Sequence, residues 1–361
     1  MGSLLEGITI VDLSTVVSGP FAVRMLLEQG ARVIKVEAPG ISDASRFVGT
    51  SRHGVTAMYT TCNHGKEVRT IDVKTQDGLA ELLGLIDDAD MLVQNFRPGA
   101  MDRMGLGWDT LHARNPQLIC LSISGFGPNG PMSGIRVYDP IIQAAAGICD
   151  TQVDPLSGGP FLFQGILADK VTSLYTAQAA FAALLERAQQ QLATGTSEGR
   201  HIELNMFDCA IHFNWPDGMY NHTYVDDDGV VPAPDFSAAY RLTPVADGHL
   251  AYSVVTDSEL SGAMRAVGLG PLFDDPLYAT PQARAAQRLD LLRMVRDAIV
   301  EAPSLDDLLT ALWQHDVPAS KVEARADLHD HPQVEANGSI RVVTDHEHGP
   351  FRQSAPVFEI G

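Results

Sequence analysis

Short apolar runs rich in β-branched residues alternate with stretches of helical period through the first half of the chain. Residues 8–13 and 31–36 read as buried strands. Between them Ser18-Gly19-Pro20 places Pro at a favoured first helical position, and the helix expected over 20–29 stops at Gly30. Strand, helix, strand in that order implies a parallel pair joined by a right-handed crossover. A third strand is expected over 68–73. A helix follows from about Thr75, with Leu79, Leu82, Leu83 and Ile86 at i, i+3, i+4 and i+7. Strands over 90–94 and 118–122 extend the pattern to an open, mostly parallel α/β sheet with helices on both faces. Ligands of such sheets lie beyond the carboxyl ends of the strands, which directs attention to loops 15–19, 37–46, 95–105 and 124–138.

A long small-residue helix is expected over 171–191, then a turn at 194–199 and a strand over 201–206. The stretch from Asn214 to Pro234, with Asp226-Asp227-Asp228-Gly229 and prolines at 232 and 234, reads as a linker. Asp247-Gly248 is a hairpin signal, and helical patterns near 258–267, 281–300 and 304–315 complete a small α+β unit. The expected organisation is a large α/β domain over 1–213 and 323–361, a linker over 214–236, and a small α+β domain over 237–322.

Charge narrows the function. The 361 residues carry 25 Lys+Arg against 45 Asp+Glu, a formal net charge of −20. Polyanions are held by clustered cations, so neither nucleic acid nor an anionic membrane is an expected partner. An anionic ligand must instead be caught by a few placed cations. Cys62, Cys120, Cys149 and Cys209 are widely spaced without a CxxC pair, which excludes a disulfide framework and a cysteine zinc site. No basic-then-apolar stretch opens the sequence and no apolar run approaches the ~20 residues of a membrane span, so the expectation is a cytoplasmic protein.

Three familiar chemistries fail on their motifs. The order strand, turn, helix, strand, Glu37 fits a dinucleotide-binding half, but Gly19 is the only glycine between Thr15 and Arg24, so neither NAD nor FAD is expected. His329-Asp330-His331 and His346-Glu347-His348 lack an accompanying His-Glu-x-x-His or carboxylate triad and read as surface histidines, so no metal is expected. A Gly-x-Ser-x-Gly elbow is also missing.

What remains is an ordered series of loop motifs. They are Leu4 to Pro20 (LLEGITIVDLSTVVSGP), Gly30 to Pro39 (GARVIKVEAP), Asn63-His-Gly-Lys66, Asn95 to Gly105 (NFRPGAMDRMG), Ser124 to Pro131 (SGFGPNGP), Tyr138-Asp139, and Leu167-Ala-Asp169 before the alanine-rich helix. Together they resemble the class III CoA-transferase family, which includes formyl-CoA and carnitine CoA-transferases and the related α-methylacyl-CoA racemases. The resemblance is strongest over 4–206 and continues weakly beyond.

The resemblance implies a Rossmann-like large domain completed by the C-terminal segment, in an interlocked homodimer. It implies coenzyme A or acyl-CoA and a small carboxylic acid as substrates, with CoA moved between acids through a covalent intermediate on Asp169. An Asp ahead of a helix faces unpaired N–H groups, which favours its ionised, nucleophilic form; an Asp there can also be no more than a cap. CoA contacts implied by the resemblance are Lys66, Ile71, Asn95, Phe96, Arg97, Arg103, Met104 and Arg136 for the nucleotide end, with Val16, Val17 and Ser18 lining the pantetheine and thioester. Formyl-CoA transferases carry Gln at the place of Val17, so oxalate-type recognition is not implied. The racemases use a His where this chain has Tyr138, a poor general base with an ordinary pKa of ~10. Tyr138 is expected instead to orient substrate, with racemisation or silent CoA binding as the alternatives.

Overall fold

A computed structural model describes residues 3–40, 43–152, 154, 157–235, 240–345 and 349–358. Two compact units result, one of Met1–Asp235 with Ser339–Gly361 and one of Phe236–Gly338.

The first unit is built on a parallel sheet. Its strands are β1 (Thr9–Asp12), β2 (Arg32–Glu37), β5 (Glu67–Thr70), β6 (Met91–Gln94), β7 (Ile119–Ser124) and β8 (Arg200–Asn205), ordered β5-β2-β1-β6-β7-β8. A short antiparallel pair, β3 (Ser51–Arg52) and β4 (Val55–Thr56), lies outside it. Strand alternation sends neighbouring residues to two separate cores. Ile10, Val33, Met91, Val93, Ile119 and Leu121 face α1 (Ser18–Glu28) and α7 (Ala168–Thr194). Val11, Ile34, Leu92 and Cys120 face the other side, with Leu82 and Ile86 of α3 (Gln76–Asp87) and Leu111 of α5 (Trp108–Arg114). Burial on both faces is why these strands read as continuous apolar runs. Ala177, Ala180 and Ala183 are buried along α7, where small side chains permit close helix packing.

Several elements depart from the sequence reading. α7 begins three residues before the expected Val171. Residues 214–218, expected to open the linker, close α8 (Met206–Gly218) instead, with Pro216 inside the helix. α2 (Ala57–Asn63), α4 (Ala100–Arg103) and α6 (Asp139–Ala145) have no long apolar period to betray them. The polar C-terminal stretch forms a hairpin of Ile340–Asp345 with Gly349–Ser354, and the Arg52 guanidinium donates to the Pro350 carbonyl at 2.7 Å.

The second unit has an antiparallel sheet of Thr243–Val245, Gly248–Tyr252 and Ala319–Lys321, with Gly248–Tyr252 central. Its core gathers Leu250, Leu260, Met264, Leu291, Val295, Leu309 and Leu312. The helix expected over 281–300 is two, Pro281–Ala286 and Arg288–Val300. His331 opens helix Pro332–Asn337, its Nδ1 accepting from Gln333 N–H at 3.1 Å. His346 to His348 lie outside the described residues. No described helix is long and apolar enough to cross a membrane.

Candidate active site

Numbered by chain order within the large sheet alone, the strands run 3-2-1-4-5-6, so the connections from β1 and β6 leave in opposite directions. A cleft of about 540 Å³ opens at this switch point. It is lined by Thr15, Val16 and Ser18 after β1, by Asn95, Phe96, Arg97 and Pro98 after β6, by the end of β7, by Ile135 to Tyr138, and by Asp169. A smaller cavity of about 240 Å³ shares Phe96, Arg97 and Ser124 and reaches toward Trp108 and His201.

Of the residues expected in the site, the cleft brings together Val16, Ser18, Asn95, Phe96, Arg97, Arg136, Tyr138 and Asp169. Lys66 is not brought there. Its ammonium is buried and donates to Asp12 Oδ2 at 2.8 Å, Asn63 Oδ1 at 2.9 Å and the Pro20 carbonyl at 2.9 Å, which uses all its protons. Ile71 is a core residue, and Met104 packs against the same core. Val17 is buried as well, its carbonyl accepting from Ser173 Oγ. Arg103 is exposed beside Gly99, outside the cleft lining.

Asp169 is the second residue of α7, behind Leu167 at the cap. It therefore does not cap the helix. Asp139 supplies that bond instead, its Oδ2 accepting from Asp169 N–H at 2.9 Å. The expectation that the helix end holds Asp169 acidic meets a stronger opposing effect. Burial and the neighbouring Asp139 carboxylate push the Asp169 carboxyl up to about 6, while the polar groups of nearby Ser18 pull it back. Asp139 itself is buried and is held by Gln143, whose amide also donates to the Gly165 carbonyl at 3.1 Å. The sequence signal for Asp139 was its place beside Tyr138, but nothing local ties it to Asp169.

The cations of the cleft differ from many of the chain's arginines. Arg24, Arg46, Arg114, Arg187 and Arg200 are each paired with a carboxylate. Among the described residues Arg97 and Arg136 have no carboxylate partner; Arg136 donates to the Tyr138 hydroxyl at 2.7 Å. Two guanidinium groups without counter-ions, in a chain of net charge −20, make the cleft a local site for anionic groups.

Beneath the loop after β1 lies a buried ionic floor. Asp12 pairs with Lys66, and Lys35 lies 3.5 Å from Asp43, all four side chains fully buried. Above it Val16 has a φ of 70°, a left-handed conformation that a β-branched residue adopts only when its surroundings impose it. Gly19 is required by close approach, since a Cβ there would stand 2.2 Å from the Ser14 Cβ.

The chain matches the family model of CoA-transferase family III over residues 5–361. It is 32% identical over 360 residues to a succinate–glutarate CoA-transferase of Agrobacterium fabrum, covering 96% of this chain and 86% of that protein. A formyl-CoA:oxalate CoA-transferase of Escherichia coli is 27% identical over 364 residues, with 94% and 86% covered. Among solved structures, a CAIB/BAIF family protein from Brucella suis superposes with a TM-score of 0.81 at 30% identity, covering 100% of this chain and 93% of that one. With a match from residue 5 to the last residue, the chain belongs to CoA-transferase family III.

Proposed function

We propose that this protein moves CoA from an acyl-CoA to a second carboxylic acid, with Asp169 as the covalent nucleophile. The observation that carries the reading is Asp169 itself: a buried carboxylate lining the switch-point cleft, without a cation partner, and poised at about 6. At neutral pH it is mostly ionised, yet it lacks the counter-ion that would quench its nucleophilicity.

The steps balance without an added redox or metal co-reactant. Asp169 carboxylate attacks the thioester carbonyl, the C–S bond breaks, and a mixed anhydride forms as CoA thiolate leaves. The thiolate attacks the Asp169 carbonyl, releasing the donor acid as carboxylate and leaving an aspartyl-CoA thioester. The acceptor carboxylate attacks that thioester to give a second anhydride and free thiolate. Attack of the thiolate on the acceptor's acyl carbon yields the new acyl-CoA and restores Asp169. In this reading Arg97 and Arg136 receive phosphate or carboxylate charge, Phe96 and Val16 line the path of the acyl-CoA, and Tyr138 orients a substrate oxygen. Asn95 acts on the loop, accepting from Thr15 N–H at 2.9 Å and donating to its carbonyl at 2.8 Å. The active form is a homodimer in this reading, supported by exposed Leu174, Leu185 and Leu192 along α7.

Asp169→Ala tests the proposal. Incubation of the wild-type protein with acyl-CoA and hydroxylamine should leave a hydroxamate on the Asp169 peptide, and the variant should fold but lose CoA transfer. Full transfer by Asp169→Ala removes the covalent mechanism.

A further inference from the structure

Three segments converge around the buried side chain of Gln143: its own helix α6, the turn from Phe163 to Gly165, and the start of α7. Gln143 Nε2 donates to Asp139 Oδ1, one helical turn back, and to the Gly165 carbonyl at 3.1 Å. The Phe163 carbonyl stands 3.5 Å from the same nitrogen. All three neighbours are acceptors, so turning the amide over would set oxygen against oxygen. The orientation holds although Gln143 Oε1 then has no donor among the described residues. On the far side of Asp139, Oδ2 accepts from Asp169 N–H at 2.9 Å.

We propose that Gln143 is a positioning residue for Asp169: by donating to Asp139 Oδ1 it keeps Asp139 ionised and turned toward the Asp169 N–H, so that the nucleophile stands beside a fixed negative charge. The proposal deepens the reading of Asp169 as nucleophile and rests on it for its functional meaning.

The charge of Asp139 follows from its donors. Both its oxygens are taken by N–H groups, which have no lone pair to receive a proton, so protonating either oxygen breaks one of these bonds. The Asp169 carboxyl lies close by, since only its own Cα and Cβ separate it from the nitrogen that Asp139 holds. Where two carboxyls crowd together one of them takes up a proton more readily, and these donors direct that proton to Asp169. The position of the Asp169 carboxyl at about 6, with Asp139 second to burial among its causes, agrees in direction. Acylation removes the charge of Asp169. Forming the anhydride therefore relieves the repulsion that Asp139 imposes on the free carboxylate.

A purely structural role for Gln143 would be to hold the turn at Gly165, just before the chain enters α7 at Leu167. The two roles differ in what they require of Asp139. Support of the turn is indifferent to the Asp139 charge, whereas positioning vanishes with it. The other charged and titratable groups around Asp169 stay in place when Gln143 is changed. Arg97, Arg136 and Tyr138 line the cleft with it, the first turn of α8 carries Asp208, and the first turn of α1 carries no acid. Lys170 follows Asp169 on α7, its ammonium 5.9 Å from the centre of the Phe163 ring, so any shift of it belongs to the turn.

The experiment is a carboxyl ¹³C NMR titration of the full chain labelled at aspartate, with Asp169→Asn to assign the resonance. Gln143→Met, close in length but without a donor, should lower the Asp169 midpoint from about 6 by roughly one pH unit, because Asp139 then takes up a proton or turns away. Asp139→Asn should lower it at least as far. Gln143→Met added to Asp139→Asn should bring no further change, since the charge through which Gln143 acts is already gone. Where Gln143→Met does not fold, Gln143→Asn serves, because its side chain is too short to reach Asp139 Oδ1. An unmoved or raised midpoint in the folded Met or Asn variant overturns the proposal. So does an equal fall from Gln143→Met in the Asp139→Asn background, which would assign Gln143 to the turn alone. No transfer reaction is measured, so this outcome is independent of the Asp169→Ala assay.

Discussion

Two buried carboxylates stand at the carboxyl edge of the same sheet in opposite electrostatic company. Asp12, with no exposed surface, is desolvated, which alone would raise its pKa; Lys66 and then Lys35 outweigh that and hold it below the usual carboxylate range. Asp169, 8% exposed, has no cation beside it and has Asp139 instead, so burial and that charge hold it at about 6. Burial with a counter-ion makes a carboxylate part of the framework. Burial without one leaves its charge energetically costly and available for bond formation.

Breaking the paired side gives the largest expected effect. Asp12→Leu strands the buried Lys66 ammonium, while Lys35 keeps Asp43, and should destabilise the protein by ~3–5 kcal/mol in urea unfolding at neutral pH. A loss under 1 kcal/mol would mean that the floor is not what holds the loop. Adding Lys66→Met to Asp12→Leu should recover much of the deficit, because an apolar pair of similar volume needs no counter-charge.

The unpaired side should respond with the other sign. Asp169 has a folded pKa of about 6 against an ordinary 3.8, so its ionised form opposes folding above pH 6 and ceases to oppose it below pH 4. That interval of roughly two units corresponds to ~2–3 kcal/mol. Asp169→Asn should therefore be more stable than wild type by about that amount at pH 8 and equal to it at pH 4, while losing transfer. Equal melting temperatures across the whole range would show that Asp169 is not desolvated.

Much of the frame was legible in the chain. Strands buried on both faces read as apolar runs, and the loops beyond their carboxyl ends enclose the cleft. Asp169 was legible through the order of motifs around it, but its elevated pKa was not, because Asp139 lies 30 residues away and meets it only after folding. Lys66 shows the converse. A lysine after a glycine looks like a loop cation, and nothing in its neighbours says that it turns inward to Asp12. The left-handed Val16 was invisible for a related reason: the residue type argues against the conformation, and the carboxylate that accepts its N–H, Asp43, lies 27 residues away in the chain. Short helices such as α4 and α6 bury too few side chains to leave a period.

The cleft cations extend the same contrast at smaller amplitude. Arg187 donates to Asp90 Oδ1 at 2.7 Å and to the Gln117 carbonyl at 3.1 Å, so it belongs to the paired framework. Arg97 is exposed and has no such partner among the described residues. Removing Arg187 strands a partly buried carboxylate and should cost ~1 kcal/mol of stability with the KM for acyl-CoA unchanged. Removing Arg97 strands nothing, so Arg97→Ala should shift stability by no more than ~0.5 kcal/mol. The KM for acyl-CoA should instead rise about tenfold, equivalent to ~1.4 kcal/mol of lost binding. High salt should shrink that difference, because an exposed guanidinium and a phosphate attract through screened solvent. If Arg97→Ala instead melts early and binds acyl-CoA normally, the guanidinium has a structural partner and the division between paired framework and unpaired cleft fails at that residue.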